Sequence, residues 1–274
     1  MSKNFKCIIC NGETNFFLTK QYAEPYNKLL KEANFCKCTN CGFTFSDTIF
    51  KMTNLEWIKL NNNFHTLLED SSAEKNINQP PYLQQAIMLK ILSENKIING
   101  NDMLDYAGGL GSLSKTMKKY FNMSIPIYDP YMKDIIANLE YIDELNLIPV
   151  SALMNSALFE HIRNRTDLEH INHCIKDEGA LILHTVVCEN IPNNPDWFYL
   201  TPPVHSALHT NKSMNILMEQ WNYESSLYCP SSKCWVLFKK EPENIKLIID
   251  NINLELQTTY LFYKKGFMDY WKGF

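Results

Sequence analysis

Apolar positions along the chain recur at two spacings, and together they predict a layered α/β core. Leu83, Ile87, Leu89, Ile91 and Leu92, with Lys90 turned outward, have helical spacing and predict a helix over Tyr82–Glu94. An apolar run then closes on Asp105. The small-residue turn Ala107-Gly108-Gly109-Leu110-Gly111 follows, and Ser112–Phe121 has helical character. A second apolar run, Ile125-Pro126-Ile127-Tyr128, ends at another acid, Asp129, and residues 131–141 read as a further helix. Residues 147–154 form a buried strand candidate. A helix is expected over 166–175, with Gly179 ending it before a strand over 180–187. Downstream, a helix starts at Ser213, Tyr228 and Cys234–Phe238 supply the last strands, and Ile245, Ile248, Ile249, Ile252 and Leu254 mark one edge of a helix. Residues 51–80 are polar, with Asn61-Asn62-Asn63 and Pro80-Pro81, and read as an irregular linker.

The alternation of short apolar runs with helices reads as an α/β domain. The 274 residues suffice for one large domain and a small one. Net charge is −4 and arginine occurs only at 163 and 165, which speaks against a nucleic-acid partner and leaves few bidentate phosphate clamps. No apolar run is long enough to cross a bilayer and no leader pattern opens the chain, so a cytoplasmic protein with no membrane partner is expected.

Nine cysteines, odd in number and clustered, do not read as a disulfide framework. Two C-x2-C pairs, Cys7/Cys10 and Cys38/Cys41, are separated by 27 residues and followed closely by Gly12 and Gly42. Four thiolates from two such turns can surround one Zn2+ tetrahedrally, with no open position, so the metal would be structural. Cys36 makes a C-x-C with Cys38 and is an alternative ligand.

The glycines between Asp105 and Ser112 would let backbone approach a nucleotide-like ligand closely, and the following helix start offers free N–H groups. Asp129 is placed for ribose hydroxyls. The pattern Asp105-x-Ala107-x-Gly109-x-Gly111 resembles the Asp/Glu-x-Gly-x-Gly-x-Gly signature of class I S-adenosylmethionine-dependent methyltransferases, with Ala107 in place of the first glycine. The resemblance covers residues 100–240 and implies an α/β fold, a Rossmann-like sheet with helices on both faces, preceded by the small zinc-knuckle module and followed by a helical C-terminal tail, with S-adenosylmethionine as cofactor. Ala107, Gly108, Gly109 and Gly111 would form the backbone cradle, Asp105 and Asp129 its carboxylates, and Asn155 and Ser156 the next strand's contribution. Tyr82 would cover the cofactor's carboxylate end. Zinc knuckles ahead of such a fold resemble sugar methyltransferases of deoxysugar and surface-polysaccharide pathways.

The implied organisation is a zinc module over 1–50, a linker and helical cover over 51–98, a methyltransferase domain over 99–240 and a C-terminal extension over 241–274 that packs or makes a dimer contact. The base that takes the acceptor's proton is expected among His161, His205 and His209, with Glu160 orienting His161 or serving as a second base. A small polar acceptor is expected, a sugar or sugar nucleotide methylated on oxygen. The alternatives are carbon methylation of a keto-deoxysugar nucleotide and a zinc-containing binding or regulatory protein with a relict methyltransferase domain. A monomer or homodimer is expected.

Overall fold

The computed structural model describes residues 6–70, 80–131 and 139–269. In chain order the elements are β1 (Thr14–Gln21), β2 (Glu32–Cys38), β3 (Thr44–Ser46), α1 (Asp47–Phe50), α2 (Asn54–Asp70), α3 (Tyr82–Glu94), β4 (Met103–Tyr106), α4 (Ser112–Phe121) and β5 (Ile127–Tyr128). There follow β6 (Val150–Ser156), α5 (Arg165–His173), β7 (Ile175–His184), β8 (Val187–Cys188), β9 (Ala207–Thr210), α6 (Asn211–Gln220), β10 (Ser225–Cys229), β11 (Cys234–Phe238), α7 (Ile245–Glu255) and β12 (Phe262–Lys265).

The larger sheet has the order β12-β10-β11-β7-β6-β4-β5. Strands β5, β4, β6 and β7 are parallel, and β11 enters antiparallel between β7 and β10. Successive side chains of a strand face opposite ways. Leu104, Leu153 and Leu181 therefore pack on one face with Leu168 and Ile171 of α5 and Met214 and Leu217 of α6. Met103, Ala152, Met154 and Ile182 pack on the other with Met88 and Leu89 of α3, Leu113 and Met117 of α4 and Ile249 of α7. Burial on both faces explains why these strands read as continuous apolar runs.

A second sheet, ordered β1-β2-β3-β9-β8, joins the N-terminal strands to the segment between β7 and α6. Phe45 of β3 is paired with Ala207 of β9. The residues 51–80 expected to be a linker contain the 17-residue α2. Its Trp57, Leu60 and Phe64 lie on one face and pack with Leu18, Phe35 and Leu208 of the smaller sheet, while Asn62 and Asn63 are exposed. Three apolar anchors and tertiary burial outweigh the poor helix propensity of consecutive asparagines. Residues 71–79 lie outside the described residues, as do 132–138, the middle of the helix expected over 131–141.

A second departure is at β7, which starts at Ile175, before the residues expected to close a helix. Gly179 is not a helix end; α5 stops at His173. A Cβ on Gly179 would meet the Ser151 carbonyl oxygen at 3.0 Å and the Ile175 Cγ2 at 2.8 Å. Close approach at the irregular β6–β7 register, not a left-handed turn, is what requires glycine there. The tail contributes β12, an edge strand on β10. No helix among the described residues is long and apolar enough to cross a membrane.

Thr210, the last residue of β9, ties the cysteine module to α6. Its hydroxyl caps α6 by accepting from the Ser213 N–H at 3.1 Å and donates to the Cys41 carbonyl oxygen at 2.5 Å, and the residue is buried. Thr210→Ala removes both bonds and is expected to lower stability by about 2 kcal/mol, read by urea unfolding. A loss too small to measure would show that the cap is dispensable.

Candidate functional site

Strand β4 delivers Asp105 and Tyr106 to a turn in which Ala107, Gly109 and Gly111 all have positive φ, at 58°, 52° and 69°. The turn is crowded below and open above. A Cβ on Gly108 would lie 2.7 Å from Asp105 Oδ2 and 2.9 Å from Ile127 Cγ2, whereas one on Gly109 would meet nothing within 4 Å. The Gly109 N–H donates to Asp129 Oδ2 at 2.9 Å, the Tyr131 N–H donates to Oδ1 at 2.9 Å, and the Tyr141 hydroxyl donates to the Gly109 carbonyl oxygen at 2.9 Å. The acid at the end of β5 is thus bound to the glycine turn.

Asp105 is buried, and desolvation pushes its carboxyl up to about 7; the Ser114 hydroxyl, 3.3 Å away, opposes this and the Asp129 charge adds to it. Burial, with Asp105 nearby, pushes Tyr82 up to about 12, which places this first residue of α3 beside the turn. At the end of β6, Asn155 donates to the Tyr106 carbonyl oxygen at 3.4 Å, and its buried Oδ1 has no partner among the described residues. Ser156 hydrogen-bonds Gln85 of α3. The residues expected to hold a cofactor therefore share the C-terminal edge of β4, β5 and β6, where doubly wound sheets bind ligands.

The helical turn Phe159–His161 follows β6 and carries Glu160 and His161. His205 arrives on the loop before β9, and one ligand atom from each of the three lies within 4.8 Å of the others. The His161 and His205 rings meet edge to face at 5.4 Å between centroids. Thr185, just after β7, donates to Glu160 Oε2 at 2.9 Å and is 3.0 Å from the Tyr199 hydroxyl. His205 Nδ1 lies 2.7 Å from the Tyr199 carbonyl oxygen. Burial pushes Glu160 up to about 7 and His205 down to about 4, and presses His161 well below the usual imidazole range.

His209, also named from the sequence, is not part of this group. It is fully buried on β9 between Phe43 and Phe159, with Nε2 3.2 Å from the Phe159 carbonyl oxygen. It joins the smaller sheet to the Glu160–His161 turn instead. Sequence reading missed Thr185, Tyr199, Trp57 and Arg163. The Trp57 ring lies 6.3 Å from His161, and the Arg163 guanidinium lies 5.4 Å from Trp57. Helical spacing could have revealed Trp57; nothing local marks Tyr199, which acts through a turn far along the chain.

The sulfurs of Cys7, Cys10, Cys38 and Cys41 all lie within 4.8 Å of one another, with Cys7–Cys41 at 3.6 Å and Cys10–Cys38 at 3.5 Å. A tetrahedral zinc with bonds of about 2.3 Å needs sulfurs about 3.8 Å apart, so the set fits one ion. The Asn40 N–H points at Cys38 Sγ at 3.4 Å. Cys36 pairs in β2 with Phe16 and Phe45 and lies outside the cluster. Gln220 of α6 donates to the Ile9 carbonyl oxygen at 2.9 Å, and Lys212 to that of Asn40 at 2.6 Å, so both knuckles rest on the larger domain.

A separate cleft of about 430 Å³, lined by Ile97, Ser151, Lys176 and Lys240, opens at the N-terminal ends of the parallel strands, away from these groups.

No family model matches the chain, and no curated protein does. Among solved structures, the plantazolicin methyltransferase BpumL, in complex with a pentazolic desmethylPZN analog and SAH, is similar at 8% identity, covering 66% of this chain and 93% of its own, with a TM-score of 0.44. An O-methyltransferase family protein from Burkholderia thailandensis is similar at 14% identity, covering 70% and 61%, with a TM-score of 0.44. A SAM-dependent methyltransferase from Aquifex aeolicus is similar at 15% identity, covering 65% and 96%, with a TM-score of 0.40. The larger sheet of this chain is mixed, with the antiparallel β11 between β7 and β10.

Asp105 gives the site a pH signature. Its folded pKa is raised, so the folded state binds the proton more tightly than the unfolded one, and stability falls as pH rises from about 4 to about 7. Asp105→Asn is expected to remove that slope, gaining up to about 4 kcal/mol on the wild type across the interval. Parallel stability–pH curves for the two proteins would refute the assignment.

Proposed function

We propose that the chain is an S-adenosylmethionine-dependent methyltransferase that methylates an oxygen of a small polar acceptor of the sugar or sugar-phosphate kind, and that its four-cysteine cluster holds one structural zinc. The observation that supports this best is the open space over Gly109, whose N–H is bonded to Asp129, on the strand edge that also carries the unpartnered Asn155 Oδ1. S-Adenosylmethionine, when bound, supplies a sulfonium methyl for in-line displacement. The residues present fit it. Asp129 stands at the end of β5 where ribose hydroxyls would meet it, Asn155 Oδ1 can accept a hydrogen bond, and Gly109 allows close approach of backbone. Tyr82, which opens α3 near Asp105, is the residue that would cover the cofactor's carboxylate end.

The Glu160–His161–His205 group lies one strand along from the glycine turn, where an acceptor would meet the methyl group. His161 is neutral at physiological pH, as burial dictates, and is free to take an acceptor hydroxyl's proton. Glu160, held by Thr185, orients the pair. Arg163 favours a phosphorylated acceptor, because its Nε and Nη1 are buried without a hydrogen-bond partner among the described residues, beside the Trp57 face.

Calorimetry with S-adenosylhomocysteine tests the cofactor half. The wild type is expected to bind, and Gly109→Ala, whose Cβ enters the open space, to stay folded and bind at least tenfold more weakly. His161→Asn is expected to bind normally while kcat, read by mass spectrometry with phosphorylated and nucleotide-linked sugars, falls roughly 100-fold. A wild type that binds no S-adenosylhomocysteine would refute the cofactor assignment.

The zinc site has its own test. Metal analysis should find at least one zinc per chain, and Cys41→Ser should lose the one the cysteines hold and become insoluble, since so small a module draws much of its folding energy from the metal. Soluble, metal-free Cys41→Ser protein with intact structure would count against a structural role.

A further inference from the structure

Glu160 is a nearly fully buried carboxylate that pairs with no lysine or arginine among the described residues. Its neighbours are two imidazoles and two hydroxyls. Such a group is rich in lone pairs and lacks positive charge. A buried carboxylate is costly unless it is neutralised or meets a cation.

The three side chains are also arranged as ligands. One donor atom from each of Glu160, His161 and His205 lies within 4.8 Å of the others. A tetrahedral ion with bonds of about 2.0 to 2.1 Å needs donors about 3.4 Å apart, a contraction that small side-chain rotations supply. The supporting contacts fit as well. His205 Nδ1 faces the Tyr199 carbonyl oxygen at 2.7 Å, which assigns its proton to Nδ1 and leaves the Nε2 lone pair free. Thr185 fixes one Glu160 oxygen at 2.9 Å. A ligating histidine whose other nitrogen donates to a carbonyl, beside a ligating carboxylate that is itself hydrogen-bonded, is the usual outer shell of a metal site. Both histidines keep partial solvent exposure, so an ion can reach them from solution.

We propose that Glu160, His161 and His205 bind a divalent transition-metal ion, with a coordination position left open toward the acceptor. Two imidazoles and one carboxylate favour an ion of the zinc, cobalt or iron(II) type over magnesium, which prefers oxygen ligands in an octahedron. Three protein ligands with a vacancy characterise catalytic metal sites, in contrast to the closed four-sulfur set at Cys7, Cys10, Cys38 and Cys41. The ion deepens the methyltransferase reading and rests on it only for its role, Lewis-acid activation of the acceptor's oxygen. In that role His161 serves as a ligand in place of acting as the base, and the hydroxyl polarised by the ion gives its proton to water as the carbon–oxygen bond forms.

The chain produced and purified with Co2+ in place of zinc, so that the cysteine module folds around its metal, then titrated with further Co2+ alone and followed by absorption, separates the two sites. Cobalt on the cysteines gives thiolate charge transfer in the near ultraviolet, and cobalt on nitrogen and oxygen gives visible ligand-field bands without it. The wild type is expected to take two equivalents, one of each kind. His161→Gln and His205→Gln should each keep the thiolate-bound equivalent and bind the other at least 100-fold more weakly, with circular dichroism unchanged. If either variant misfolds, the wild-type stoichiometry decides alone. Wild-type protein whose bound cobalt all carries thiolate charge transfer overturns the proposal, and so does a second equivalent unaffected in two folded variants. Calorimetry with S-adenosylhomocysteine on the same samples reads the cofactor assignment separately. Cobalt at the histidines without cofactor binding would leave the metal site standing and sink the methyltransferase reading; the converse would do the opposite.

Discussion

The short ladder between β3 and β9 is the contact on which the rest of the site depends. Two residue pairs, Thr44 with Leu208 and Phe45 with Ala207, join the N-terminal strands to a segment more than 160 residues downstream. The Ser46 N–H donates to the Ser206 carbonyl oxygen at 2.8 Å, and the Ser206 N–H donates to that of Glu160 at 2.7 Å. Backbone hydrogen bonds thus run from the cysteine module through β9 to the turn that carries Glu160 and His161. His209 and Phe159 fill the space beneath with apolar contact. A loop that must hold side chains within fractions of an ångström gains from such support, because loops alone are the least precise scaffolds.

This arrangement gives the four-cysteine cluster a role beyond its own folding. The knuckles rest on α5 and α6 through Arg165, Gln220, Lys212 and Thr210. A metal that orders the knuckles also sets the position of β3, and β3 in turn restrains β9. The module and the larger domain are therefore one mechanical unit around the site. The same logic applies to α2, whose Trp57 packs in the core of the smaller sheet while its ring faces His161 and the Arg163 guanidinium.

The glycine turn shows a different kind of support. Asp105 sits under Gly108 so tightly that no side chain fits, and Asp129 reaches back across to the Gly109 N–H. Two carboxylates in one small region would repel if both were ionised, and burial of Asp105 relieves this by favouring its protonated form. The open surface left over Gly109 is a consequence of this packing below it.

Much of the larger sheet could be read from the chain itself. Helices at Tyr82–Glu94 and Ser112–Phe121, the strand pair near Tyr228 and Cys234–Phe238, and the glycine turn all follow from local spacing, because burial of both sheet faces imposes continuous apolar runs and a helix against a core imposes one apolar stripe. The two C-x2-C pairs could be read for the same reason, and their four sulfurs do meet in one cluster. What the sequence did not contain was partnership across distance. Asparagines concealed α2, a close backbone approach at Gly179 looked like a helix end, and nothing local separated His205 from His209. One of these histidines faces Glu160 and His161, and the other is sealed between two phenylalanines. Local spacing determines which elements form; only the pairing of β3 with β9, set by long-range burial and hydrogen bonding, decided which side chains meet.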